Sequence, residues 1–218
     1  MKEGVLSRGP ASEDPIVFVI DDDPLTRGSL SSLFRSVGLS VKALASATEL
    51  LENPLPAVPS CLVLDVRLPQ VSGFELQAEL GRLGIEIPII FITGHADVPM
   101  SVKAMKDGAV DFLTKPLRDQ EILDAVTGAL ERDRRRRSDE KSKLDRRARF
   151  ESLTPRERQV MSLVTAGLMN KQVAARIGIS EMTVRIHRGH VTRKMGAKSL
   201  ADLVLMAESL GVRGRRDD

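Results

Sequence analysis

The run Cys61-Leu62-Val63-Leu64-Asp65, set off by Pro59-Ser60 before it and Pro69 after it, constrains this chain more than any other stretch. Its apolar residues are consecutive rather than alternating. That pattern belongs to a strand covered on both faces, as in a parallel sheet wrapped by helices. It ends in one carboxylate, Asp65, at the carboxyl edge where open parallel sheets bind their ligands. Ile16 to Ile20 likewise runs into Asp21-Asp22-Asp23, Ile89 to Ile92 into Thr93-Gly94, and Phe112-Leu113 delivers Lys115-Pro116. As neighbouring parallel strands, these runs bring Asp21, Asp22, Asp65, Thr93 and Lys115 to one point.

Carboxylates packed together repel and do not stay ionised without a cation, so the cluster calls for a hard divalent metal with oxygen ligands, Mg²⁺. The lysine adds a compensating charge. Carboxylate, metal, hydroxyl and ammonium around one protruding Asp make an acceptor site for a phosphoryl group, whose transfer depends on positioning and charge neutralisation.

Between the strands lie helical patterns. Asp23-Pro24 is an N-cap followed by proline in the first turn, with Leu25, Leu30, Leu33, Phe34 and Val37 expected on one face and Gly38 as the stop. A second strand over residues 40–45, a short helix near Thr48 to Leu51, a helix from Ser72 to Leu83 closed by Gly84, and a helix from Val98 to Lys106 complete the alternation. Five strands alternating with helices predict a doubly wound, flavodoxin-like parallel sheet in the order 2-1-3-4-5.

Asp21-Asp22, Asp65, Thr93 and Lys115-Pro116, in that order on those strand ends, resemble the receiver domain of bacterial two-component response regulators. The stretches Phe91 to Met100 and Met105 to Pro116 are similar to the FixJ-like branch. The resemblance covers residues 15–130. It implies phosphorylation of Asp65 by a sensor histidine kinase, and Mg²⁺ held by Asp22, Asp65 and the Arg67 backbone carbonyl with Asp21 in the outer shell. It also implies Thr93 and Lys115 on the phosphoryl oxygens and Phe112 as the aromatic that moves with Thr93. Phe112 lacks the hydroxyl of a tyrosine, and Lys115-Pro116 resembles the family's cis peptide.

Charge divides the chain. Residues 1–130 carry 11 basic and 18 acidic side chains, residues 131–149 carry 10 and 5, and residues 150–218 carry 12 and 7. The front is net −7 and each later segment net +5, so polyanion binding belongs to the back. From Leu117, an amphipathic pattern through Ile122, Leu123, Val126 and Leu130 enters a charged stretch, residues 131–149. That stretch reads as a solvated continuation of the helix or a disordered linker, with helix favoured by its Glu, Lys and Arg, and Arg134 to Arg137 read as a solubilising surface ahead of direct phosphate contact. Residues 1–14 read as a loose leader and 212–218 as a tail.

Thr154-Pro155-Arg156-Glu157 is a capping box that opens a helix burying Val160, Met161, Leu163 and Val164. Asn170 starts a second helix, and Gly178-Ile179-Ser180 is a turn with a new N-cap. The third helix turns Val184, Val191 and Met195 inward and leaves Met182, Arg185, Ile186, Gly189 and Arg193 outward, with Arg188 near the buried edge and suited to an intradomain salt bridge. This is a helix-turn-helix, an all-α domain over residues 150–211 whose outward face suits a major groove. Leu153 through Met206 is also similar to the LuxR-type DNA-binding domain, notably in Leu153 to Glu157, Gly167, Asn170-Lys171, Ile179-Ser180 and Thr183 to Arg188. That resemblance implies DNA contacts from Lys171, Met182, Thr183, Arg185, Ile186, Gly189 and Arg193, and a fourth helix whose Leu200, Leu203, Val204 and Ala207 mediate dimer contacts. Arg185 stands where a lysine is usual and Gly189 where a longer polar residue is common.

Together the resemblances imply a cytoplasmic transcription regulator, an activator in most relatives. They imply a homodimer on phosphorylation, double-stranded promoter DNA and RNA polymerase as partners, and no enzyme. Two rival classes differ from this reading. A haloacid-dehalogenase-type hydrolase wants a second Asp two residues after the nucleophile, where Arg67 stands. A DNA-binding protein whose front domain only dimerises would not need every receiver position filled. The single cysteine, Cys61, excludes an intrachain disulfide and reads as a small buried apolar residue. No apolar run approaches membrane-spanning length. His95, His187 and His190 make no convincing metal set, since two lie one turn apart on the third helix, where phosphate contact or packing is the expected role.

Overall fold

The computed structural model describes residues 14–95 and 97–214. The leader up to residue 13 and the tail from residue 215 lie outside the described residues. The chain divides after Arg137 into two compact units.

The first unit is a five-stranded parallel sheet of β1 (Ile16–Ile20), β2 (Ser40–Leu44), β3 (Ser60–Asp65), β4 (Ile89–Thr93) and β5 (Asp111–Thr114), ordered β2-β1-β3-β4-β5. Helices α1 (Pro24–Ser36), α2 (Ala47–Leu51), α3 (Gly73–Arg82) and α4 (Val98–Lys106) connect the strands, and α5 (Asp119–Glu151) follows them, its residues from Ser138 on belonging to the second unit. The continuous apolar runs are explained by two cores, one on each face. Phe18, Ile20, Leu62, Leu64 and Phe91 pack with Leu50, Leu76, Leu80 and Ala104. Val17, Val19, Cys61, Val63, Ile90 and Ile92 pack with Leu30, Phe34, Ile122 and Val126. Cys61 is fully buried, and burial pushes its thiol well above the usual range, as expected of a packing residue.

Asp23 caps α1 by accepting from the Leu25 and Thr26 amides. The apolar face expected of that helix is narrower than its sequence suggests: Leu30 and Phe34 are buried, but Leu25 is 79% and Val37 52% exposed. Leu25 lies in the first turn, away from the line through Leu30 and Phe34, and Val37 is the C-cap, where the chain has left helical geometry. The Lys115-Pro116 peptide is cis.

Helix α5 is continuous from Asp119 to Glu151. Asp133 on it is fully buried. It accepts from the Ser60 amide at the start of β3 (2.9 Å), and from Arg136 Nη2 and Arg137 Nε. The reading of Arg134 to Arg137 as mere solubilising surface is therefore corrected for Arg136 and Arg137, which are committed to a buried carboxylate.

The second unit contains α6 (Pro155–Thr165), α7 (Asn170–Ile177), α8 (Glu181–Met195) and α9 (Leu200–Ser209). Thr154 and Glu157 form the capping box at α6. Gly178 and Gly196 end α7 and α8 at φ +68°, a left-handed conformation that glycine adopts without strain. One core joins Leu153, Met161, Val191, Met195, Leu203 and Ala207, and another joins Val160, Val164, Val173, Ala174 and Val184. Leu163 is only half-buried.

Candidate functional site

At the carboxyl edge of the sheet, the ends of β1, β3 and β5 place three side chains in direct contact. Lys115 Nζ lies 2.6 Å from Asp21 Oδ2 and 2.6 Å from Asp65 Oδ2. The register sets β1 beside β3, β3 beside β4 and β4 beside β5, so the two aspartates end side by side and Lys115 reaches them from the end of β5. Asp21 and Asp65 are buried and Asp22 is exposed, and carboxylate oxygens of all three lie within 4.8 Å of one another. Burial pushes the Asp21 carboxyl above its usual range, against the opposing pull of Lys115 and the Asp23 amide. Burial alone would lower the Lys115 ammonium, but its bonds to Asp21 and Asp65 win and hold it above its usual range. Three carboxylates and one lysine leave a net negative pocket of hard oxygen donors open to solvent through Asp22, a donor set that fits Mg²⁺.

The other positions expected at this edge sit differently. The Arg67 amide donates to Asp65 Oδ1 at 2.8 Å, and its side chain is exposed. Thr93 is fully buried, and its hydroxyl is engaged by the His95 backbone, accepting from the amide at 3.3 Å, rather than by the carboxylates. Its carbonyl accepts from the Lys115 amide at 2.8 Å, tying the end of β5 to that of β4. Phe112 is half-buried and packs on Phe91, ring centroids 6.3 Å apart.

Two supporting residues were not anticipated. Gly73 opens α3 directly beneath the acidic cluster; a Cβ there would lie 2.5 Å from the Asp65 carbonyl oxygen and 3.0 Å from Phe91. Only the absence of a side chain lets α3 begin against the end of β3, and a glycine at a helix start carries no local signal of that. Arg27 Nη1 donates to the Asp21 carbonyl at 2.6 Å, anchoring α1 to the same strand end.

In the second unit, Ser180 caps α8 by accepting from the Thr183 amide. Met182, Arg185, Ile186, Gly189 and Arg193 are exposed along α8, and Thr183 is half-buried with its hydroxyl 2.8 Å from that of Ser180. Lys171 is exposed near the start of α7. The salt bridge expected of Arg188 is corrected to a hydrogen bond, 2.6 Å to Asn170 Oδ1, because the facing side chain on α7 is a neutral amide. The α9 stripe expected to mediate dimer contacts is split by the structure, with Leu200 and Val204 accessible and Leu203 and Ala207 turned inward. Leu203 and Ala207 are buried in the domain's own core, Leu200 is 48% and Leu205 64% exposed, and Val204 is half-buried. Leu200 and Val204 are therefore the members of that stripe left for an outer contact.

Family comparisons match residues 17–127 to the response regulator receiver domain and residues 151–207 to the luxR family of bacterial regulatory proteins. The chain belongs to the response regulators. It is 61% identical over 202 residues to nodulation protein W of Bradyrhizobium diazoefficiens, covering 93% of this chain and 89% of that one. It is 46% identical over 194 residues to the transcriptional regulatory protein FixJ of Rhizobium meliloti, covering 89% and 95%. A solved structure of the response regulator StyR superposes with a TM-score of 0.82 at 45% identity, over 89% of this chain and 98% of that one. This response regulator is accordingly a transcriptional regulator of a two-component system that joins a receiver to a LuxR-type DNA-binding domain. A receiver implies a phosphodonor kinase, and a LuxR-type domain implies DNA. Among the described residues, no helix is long and apolar enough to cross a membrane.

Proposed function

We propose that Asp65 stores a phosphoryl group taken from a sensor histidine kinase, and that its presence licenses dimerisation and promoter binding. The observation that carries this reading is the position of Lys115 Nζ, 2.6 Å from both Asp21 and Asp65. That ammonium already stands where the charge of a phosphorylated Asp65 would fall. In the transfer, an Asp65 carboxylate oxygen forms the new P–O bond while the P–N bond to the donor imidazole breaks and the histidine departs. Asp22, Asp65 and the Arg67 carbonyl would hold Mg²⁺, with Asp21 behind them; when bound, the ion neutralises developing phosphoryl charge.

Phosphorylation adds about −1.5 to −2 charge. Lys115 balances part of it, and the Thr93 hydroxyl, released from the His95 backbone, takes a phosphoryl oxygen. Phe112, only half-buried, then has room to follow. The new charge biases a domain with two packings, and a sharp switch needs a shift of roughly 3 to 5 kcal/mol between them. The favoured packing dimerises through α4, where Val98, Val102 and Met105 are exposed. The dimer presents two α8 helices to half-sites about one helical turn apart or a multiple of that. Lys171, Met182, Thr183, Arg185, Ile186, Gly189 and Arg193 line that face, and contact with RNA polymerase then raises transcription.

Incubation with acetyl phosphate and Mg²⁺ tests the reading. The wild type gains one acyl phosphate on Asp65 and shifts from monomer to dimer in equilibrium sedimentation. Asp65→Asn does neither; a variant that still dimerises on treatment would overturn the mechanism.

A further inference from the structure

Glu157, His187 and His190 meet where α8 crosses the start of α6. The sequence shows only two histidines one turn apart; the fold adds a buried carboxylate from another helix. Each of the three residues offers a ligand atom within 4.8 Å of the other two. Glu157 is almost wholly buried, yet only one of its oxygens is saturated: Oε2 accepts from Lys194 Nζ at 2.6 Å and from the Thr154 amide at 2.8 Å. The other, Oε1, lies 3.5 Å from His190 Nδ1. Burial would raise the Glu157 carboxyl, but Lys194 and the Thr154 amide outweigh it and bring it down to about 2, so an ionised oxygen faces the two imidazoles. His187 Nδ1 is shielded from solvent and has no hydrogen-bond partner among the described residues. A buried ring nitrogen left that way is costly unless something occupies it.

We infer that Glu157, His187 and His190 form a binding site for a borderline divalent transition ion of the Zn²⁺ class. Two imidazoles and one carboxylate oxygen select Zn²⁺, Ni²⁺ or Cu²⁺ over Mg²⁺ and Ca²⁺, and three protein ligands leave one position open. Bonds of about 2.1 Å put tetrahedral ligands about 3.4 Å apart, so the cluster closes by modest rotation of two imidazoles that are only half-buried. The Lys194 ammonium repels an ion and lowers its affinity, but it occupies Oε2 and leaves Oε1 free. An ion here ties α8 to α6 and places positive charge on the helix whose exposed side faces DNA. The site is distinct in chemistry and residues from the cluster around Asp65 and stands whether or not that cluster is phosphorylated.

Full-length protein, stripped with chelator and then kept in excess Mg²⁺ to fill the aspartate site, is titrated with Co²⁺. One equivalent is expected to give the intense visible absorption of a four-coordinate ion, displaced by Zn²⁺. His187→Gln and His190→Gln should each lose that absorption while keeping the helical circular dichroism. Nitrogen NMR of the wild-type histidine rings reads the site without any variant: Zn²⁺ should move the His187 and His190 resonances and leave His95 in place. Absence of four-coordinate absorption in the wild type, an unchanged titration in both variants, or shifts confined to His95 overturns the proposal.

Discussion

Gly73 shows how much one missing methyl can decide. Its amide donates to the Val66 carbonyl at 3.0 Å, and a Cβ on it would lie 2.5 Å from the Asp65 carbonyl oxygen. A methyl there meets Asp65 backbone, which cannot rotate away as a side-chain end could. Gly73→Ala is therefore expected to destabilise the receiver by about 1 to 3 kcal/mol, the usual cost of overpacking, and to slow acyl phosphate formation by displacing Asp65. Urea unfolding and the acetyl phosphate reaction measure the two effects. The same closeness explains why Lys115 bridges two carboxylates: β1 and β3 are adjacent, so their terminal aspartates share one counter-charge and burial strains Asp21 toward its neutral form.

Among the elements, α5 and α8 carry the most distinctive loads. Asp133 continues the buried stripe of Ile122, Val126 and Leu130 with a carboxylate, and arginines three and four residues on close over it. Asp133→Ala strands the Ser60 amide and, while Arg136 keeps Glu86 at 3.8 Å, removes the buried carboxylate from Arg136 and Arg137. Because those side chains remain 28% and 29% exposed, water can solvate them, and the expected loss is roughly 2 to 3 kcal/mol rather than the full cost of a stranded buried charge. Urea unfolding of the receiver unit checks it. Helix α8 keeps Val184, Val191 and Met195 in the core and Arg185 outside. Arg185→Ala should weaken specific DNA binding by roughly 1 to 3 kcal/mol, with folding unaltered, in a gel-shift titration at fixed salt.

For the whole molecule, the cores are the informative unit. The two that flank the sheet draw on residues 16–130, and the two in the helical unit on residues 150–212. No buried cluster among the described residues mixes the two sets, so each unit has its own cooperative unfolding. Calorimetry of the full chain should resolve two transitions. Asp133→Ala should lower only the receiver's, and Met161→Ala, which opens a cavity costing about 2 to 5 kcal/mol, only the other. One merged transition shifted by both variants would show the cores to be coupled.

The alternation of continuous apolar runs with capped helical stretches determined, from the sequence, a parallel α/β sheet and the helical unit after it, because strand and helix periodicities are local properties. The 2-1-3-4-5 order came from the fold class that this alternation predicts. The caps at Asp23, Thr154 and Ser180 were set locally too, since they depend on residues within one turn. Tertiary structure decided how far the expected faces of α1 and α9 met a core: Leu25 and Val37 turned out exposed and Leu203 and Ala207 inward, since a stripe at helical spacing does not say what covers it. It also decided the long-range pairings of Asp133 with Ser60, Gly73 with Asp65, and Glu157 with His190 and Lys194, each joining residues that local pattern treats as unrelated. Contacts of that kind are set by the path of the whole chain, and no window of neighbouring residues contains them.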